Sequence, residues 1–95
     1  MSIEVPIPQE AIARYLQRRR KDLESLKQAL ARQATDDFQR VGHQLKGNAA
    51  SFGFIELEQL GENLSEVAGS KDWQQAAELL SWFEAWLAKV EGPAA

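Results

Sequence analysis

No proline falls between Pro8 and Pro93. Proline removes a backbone donor and clashes with the turn before it, so its confinement to Pro6, Pro8 and Pro93 leaves the stretch 9–92 open to uninterrupted helix. The apolar pattern uses that freedom. Ile12, Leu16, Leu23, Leu26 and Leu30 recur at three-and-four spacing, with Arg19 interrupting the row. This predicts a first helix starting at Pro8, a residue suited to a first turn, with Glu10 complementing its positive end. Thr35 is placed to cap a second helix, with Asp36 and Asp37 in its opening turn. Its stripe is Phe38, Val41, Leu45, Ala49 and Phe52, and Gly53 ends it as a residue free to take positive φ. A third helix is predicted from about Phe54 to Ala68, burying Leu57, Leu60, Leu64 and Val67, with the break at Gly69 and Ser70. Asp72 and Gln75 read as a capping box for a fourth. That helix presents Trp73, Ala76, Leu80, Phe83, Leu87 and Val90 until Gly92-Pro93 stops it. No strand pattern is visible. Short connections make neighbours antiparallel, so the fold class is all-α, an antiparallel up-down four-helix bundle.

The chain is one small domain, 1–95, with short flexible ends expected at about 1–7 and 92–95. Its 44% hydrophobic and 26% charged residues are the balance of a globular protein, and a chain this size buries roughly 60–65% of its unfolded surface, enough for one core. It has no cysteine, which excludes disulfides, thiolate metal sites, iron–sulfur clusters and thiol nucleophiles. No run approaches the ~20 apolar residues of a membrane span. The N-terminus lacks the basic start and apolar run of a secretory signal, so a cytoplasmic location and no membrane partner are expected. The starting methionine and compact ends are those expected of a free-standing domain, and an excised fragment of a longer protein would look similar. Residues 1–46 carry nine basic and six acidic side chains, whereas 47–95 carry two and eight. The net charge of −3 argues against nucleic acid as the main partner.

The chain has one histidine, His43. At 100° per residue it points roughly 160° away from the mean of the Phe38/Val41/Leu45/Ala49/Phe52 stripe, toward solvent. A core histidine, the ordinary reading, does not fit that geometry; a surface histidine without a role remains the alternative. Lys46 and Gly47 lie three and four residues on and border it on the helix surface, and Ala50 extends the same face. Gly42 and Gly47 each cost about 1 kcal/mol inside a helix relative to alanine. Either close helix packing or open access to an incoming group would account for them. An accessible imidazole, a cation one turn away and a cleared surface suit a phosphoryl group. An imidazole nitrogen with a free lone pair is a competent nucleophile, and Lys46 can stabilise charge on the phosphoryl oxygens.

The stretch His43-Gln-Leu-Lys-Gly-Asn-Ala-Ala-Ser-Phe-Gly53 resembles the histidine-containing phosphotransfer (HPt) family, whose motif is His-x-Leu-Lys-Gly followed by small residues and a glycine. The resemblance extends into the Leu57/Leu60/Leu64 helix and, more loosely, the Leu23–Leu30 helix. It implies a phosphorelay intermediary in which His43 takes a phosphoryl group at Nε2 from an aspartyl phosphate of a response-regulator receiver domain and passes it to another. Lys46 matches the phosphate-facing lysine and Gly47 the glycine that leaves room for the receiver. In some relatives a glutamine on the third helix orients the imidazole; the matching position here is Ser65, with a water or Glu62 as alternative partners for the ring. Gly42 stands where the family often has alanine. The implied partners are receiver domains and a hybrid sensor histidine kinase. No cofactor is expected in this chain, Mg²⁺ belonging to the partner receiver. With no glycine-rich nucleotide loop, it is expected to be a phosphoryl carrier without kinase activity of its own, and a monomer. Gln39, Gln44 and Ala50, with Ile12 and Tyr15 as exposed apolar residues of the first helix, are the candidate docking contacts.

Other features have ordinary readings. Arg18-Arg19-Arg20-Lys21 points in four directions and reads as a solvated face, with Arg19 reaching toward the bundle end. Glu58, Glu62 and Glu66 form an acidic ridge without the Glu-x-x-His pairs of a bundle metal site, and no metal is expected. Trp73 fits the core row, while Trp82 and Trp86 lie toward its edge, as core packing or as an interface patch. Besides the carrier, two functions stay open. One is a non-catalytic helical adaptor that binds or sequesters a receiver; the other is nucleic-acid binding through the arginine run, which would weaken steeply with salt.

Overall fold

The computed structural model describes residues 8–90. Four helices follow one another: α1 (Gln9–Arg32), α2 (Asp36–Asn48), α3 (Ile55–Ser70) and α4 (Trp73–Val90), with one 3₁₀ turn at Ala50–Phe52. The expectations for residues 1–7 and 92–95, the Gly92-Pro93 stop among them, lie outside the described residues. No described helix is long and apolar enough to cross a membrane.

Each helix end has a physical cause. Pro8 is the N-cap of α1, extended at φ −58° and ψ 140°, one residue earlier in role than its predicted first-turn place. Its carbonyl accepts from the N–H groups of Ala11 and Ile12 at 3.0 and 3.1 Å. The helix closes through a left-handed residue, Gln33 at φ 54°, and the Ala34 N–H reaches back to the Ala29 carbonyl at 2.9 Å. Thr35 stands at the N-cap of α2 but in helical geometry (φ −91°, ψ −20°), and its hydroxyl makes no capping bond. The two aspartates after it remain to favour that end. Helix α2 stops at Asn48, short of the predicted Phe52, because the chain tightens into the 3₁₀ turn before Gly53 reverses it at φ 84°.

The break after α3 is also displaced. Gly69 and Ser70 are helical, and Lys71 takes the left-handed position (φ 59°) instead, donating to the Val67 carbonyl at 2.7 Å. Asp72 then caps α4: its Oδ1 accepts from the Gln75 N–H at 3.1 Å. The return half of the predicted box is supplied differently, since the Asp72 N–H donates to Ser70 Oγ at 3.3 Å.

Cross-helix contacts fix the topology. Lys27 pairs with Glu84 at 3.1 Å while Ile12 and Leu16 meet Val90, so α1 and α4 are antiparallel. Tyr15 meets Phe52 and Arg19 meets Asn48, placing α2 antiparallel to α1. Each helix touches the next and α4 returns to α1, closing the bundle. Phe38, Val41, Leu45, Leu57, Leu64 and Phe83 are fully buried at its centre. Trp86 belongs to this core rather than to the edge: it is buried, packs edge-on against Phe54 at 5.2 Å, and donates its indole N–H to Glu56 Oε1 at 3.2 Å. That acceptor is what lets the indole be buried at little cost. Trp73 is half-buried against Phe38, and Trp82 is 43% exposed.

The closest approach is between α2 and α3. A Cβ on Gly42 would lie 2.5 Å from Ser65 Oγ and 2.7 Å from the Gly61 carbonyl oxygen. One on Gly61 would lie 2.7 Å from the Gly42 carbonyl oxygen and 2.9 Å from the Lys46 nitrogen. The two helices meet backbone to backbone, which only glycine permits at both positions.

Candidate functional site

That seam sets the orientation of α2. Gly42, Val41 and Leu45 turn inward and are buried, so Gln39, His43, Gln44, Lys46 and Gly47 turn outward and are exposed. Ala50, in the 3₁₀ turn, is exposed as well. The histidine therefore stands on the outer surface of the bundle with Lys46 and Gly47 one turn along. The two glycines of α2 have different causes. Gly42 is the close-packing one. Gly47 faces open space, with nothing within 4 Å of where its Cβ would be. An approaching group meets bare backbone there.

Among the described residues the His43 ring makes no hydrogen bond, and neither Ser65 nor Glu62 reaches it. Ser65 is half-buried with its hydroxyl against Gly42, in the seam beside the histidine, and Glu62 is exposed on α3. Lys46 enters no ion pair among the described residues. Nor does any group of three His, Cys, Asp or Glu side chains gather there to hold a metal.

Two candidate docking residues lie elsewhere. Tyr15 is not exposed: it is buried, stacked on Phe52 at 4.3 Å and Phe54 at 5.7 Å. Its period-3.6 position turns it into the bundle, and its hydroxyl finds an acceptor in Asn48 Oδ1 at 3.0 Å. Ile12 is half-buried and lines a hollow with Leu16 and Val90, on the α4 side of α1 rather than beside His43.

Behind the histidine surface lies a polar network that the apolar spacing conceals. Asn48, the residue after Gly47, accepts from Tyr15 and also from Arg19 Nη1, at 3.4 Å. Arg19 does not reach toward the bundle end. It is 4% exposed, its guanidinium lies 4.5 Å over the Tyr15 ring, and its Nε sits 2.9 Å from Asp22 Oδ2. These last two atoms meet at ion-pair distance without the straight path of a hydrogen bond, and neither has another partner. Burial raises the Asp22 carboxyl above its ordinary 3.8, against the pull of Arg19. Burial likewise raises the Tyr15 hydroxyl above 10.0, keeping it a neutral donor. Tyr15, Arg19 and Asp22 stand at i, i+4 and i+7 and are all buried on the inner face of α1. The network pins the end of α2 to α1 just where Gly47 weakens the helix.

An exposed imidazole with a lysine and an open glycine beside it, on a helix anchored on both flanks, can present a nucleophile and a positive charge to a second molecule. It cannot enclose a small substrate. The Hpt domain family matches residues 10–92, nearly the whole described bundle. No curated protein and no solved structure matches the chain significantly.

Proposed function

This chain belongs to the Hpt domain family, and from that premise we propose that it carries a phosphoryl group on His43 between receiver domains of a multistep two-component phosphorelay. Members of the family are phosphoryl carriers that interact with receiver domains. The observation that carries the site assignment is the outward line of His43, Lys46 and Gly47 on α2, with Gly47 bare to solvent.

In the forward step the Nε2 lone pair of the neutral imidazole attacks the phosphorus of an aspartyl phosphate on the partner. The Nε2–P bond forms as the bond from phosphorus to the aspartyl oxygen breaks, and the partner's carboxylate leaves with the electron pair. Charge develops on the three non-bridging phosphoryl oxygens, where the Lys46 ammonium supplies compensation. Gly47 admits the partner's surface without a Cβ in its way. The partner receiver brings the aspartate and Mg²⁺. Reversal onto a second receiver completes the relay, whose partners include a hybrid sensor histidine kinase. The ring's lack of an orienting hydrogen bond among the described residues favours one other reading, an adaptor that docks a receiver and holds it without transfer.

Mixing the chain with a phosphorylated receiver and assaying for an acid-labile, base-stable phosphoryl group separates the two. Transfer that vanishes in His43→Gln, with helicity unchanged, supports the carrier. A His43→Gln protein that still labels overturns the site. Equal receiver binding by wild type and His43→Ala, without any transfer, establishes the adaptor.

A further inference from the structure

On either side of α2, whose own Lys46 and Asp37-paired Arg40 also border His43, the exposed charges differ by helix, and the difference gives the docking face a direction. On the α1 flank, Arg14 and Arg18 line a hollow of about 450 Å³ together with Asn48 and Phe52, which places both arginines along the α1 edge of α2. Both are exposed, and neither enters an ion pair among the described residues. On the α3 flank, Ser65 lies against Gly42, and Glu58 and Glu62 follow it around α3 by roughly 20° and 60° toward the outer surface. Both glutamates are exposed and unpaired among the described residues. His43 stands on α2 between a basic flank and an acidic one.

A docked protein covers about 800 Å² of each partner, and packed helices lie 8–10 Å apart. A footprint that size, centred on His43, spans roughly 30 Å and covers the outer edges of α1 and α3 as well as α2. The partner therefore meets both flanks at once.

Resting on the carrier reading above, we infer that this chain selects and orients its receiver by a charge dipole across the histidine. The receiver it fits carries acidic side chains on the side of its phosphoaspartate that meets Arg14 and Arg18, and basic side chains on the side that meets Glu58 and Glu62. Such polarity admits one orientation and repels the one rotated by half a turn. It acts on encounter rate and register more than on the bond-making step.

The test uses the full chain, first phosphorylated on His43 with phosphoramidate, a small donor that needs no docking face. Failure of that labelling refutes the carrier reading and is distinct from everything that follows. The labelled chain is then offered to a panel of purified receivers at low salt, and the fastest acceptor is kept. With that acceptor, R14E/R18E and E58K/E62K should each slow second-order transfer about tenfold, with the phosphoramidate labelling and the saturating transfer rate unchanged. Above ~0.5 M salt, where screening shortens the Debye length to roughly 4 Å, both gaps should close. Slowing by R14E/R18E with acceleration by E58K/E62K would show a uniformly acidic partner and overturn the dipole. Rates unchanged in both variants would overturn it equally.

Discussion

The two glycines of α2 predict opposite responses to the same substitution. An alanine in place of an exposed helical glycine stabilises a helix by about 1 kcal/mol. At Gly47 nothing stands within 4 Å of the added Cβ, so that gain should appear almost whole. For a domain of this size it corresponds to a melting temperature higher by about 4–8 °C. At Gly42 the same methyl would meet the Gly61 carbonyl oxygen at 2.7 Å and the Ser65 nitrogen at 3.0 Å. These are backbone atoms, which cannot rotate aside as the Ser65 hydroxyl can, so α2 and α3 must move apart. Overpacking of this kind costs about 1–3 kcal/mol, and a backbone-to-backbone clash belongs near the top of that range. After the helix gain of about 1 kcal/mol, Gly42→Ala should lose about 2 kcal/mol net, or roughly 8–16 °C. Urea and thermal unfolding followed by circular dichroism would measure both variants. In the transfer assay the ranking should invert for Gly47→Ala, the more stable protein but the slower donor, because its methyl stands where the receiver approaches. A Gly42→Ala variant as stable as wild type would refute the close-packed seam. A Gly47→Ala variant that gains no stability would refute the open one.

Three further outcomes follow from the site and its support. Asn48→Ala removes the acceptor shared by the Tyr15 hydroxyl and the Arg19 guanidinium, and should cost about 1–3 kcal/mol in urea unfolding. Tyr15→Phe, which keeps the ring stack, should cost less. Because the folded chain holds the Asp22 proton more tightly than the unfolded chain, the stability Asp22 contributes is fully present below pH 3.8 and declines as pH rises through its raised pKa. The urea midpoint of Asp22→Asn should accordingly gain on wild type as pH rises above 3.8, and a difference that stays flat or runs the other way would contradict the burial argument. Lys46→Ala, at an exposed position, should leave folding within about 0.5 kcal/mol of wild type while slowing transfer at least tenfold at saturating receiver. An unchanged saturating rate would remove Lys46 from the phosphoryl step.

The helical rows were legible because Leu26, Val41, Leu45, Leu57, Leu64 and Phe83 repeat at the helix period with nothing to compete, and all are fully buried. Helix ends were less so. Gly69 and Ser70 looked like a break, but a left-handed turn costs little enough that Lys71 takes it while the glycine stays helical. His43 could be placed outside from its angle to the stripe alone. The buried α1 network that anchors the end of α2 could not, since Tyr15, Arg19 and Asp22 read as an aromatic and two charges on a polar stretch. Only the partner at Asn48, 33 residues beyond Tyr15, shows why they go inward. Pairwise satisfaction across helices leaves no period in a sequence. The Gly42–Gly61 contact is of the same kind: one glycine hints at tight packing, but the backbone it packs against has no signature.

The glycine seam also bears on when the site comes into being. Helix α2 has 13 residues, near the lower limit for a helix that holds by itself in water, and two glycines weaken it further. Its outward face is therefore assembled only when α3 arrives to complete the backbone contact. During synthesis the histidine leaves the ribosome long before Ser70 closes α3. Until then the nascent chain holds every residue of the site in sequence and none of it in geometry. On the carrier reading, competence to exchange phosphate begins as one event with the collapse of the bundle, and a chain truncated before α3 is expected to accept no phosphoryl group.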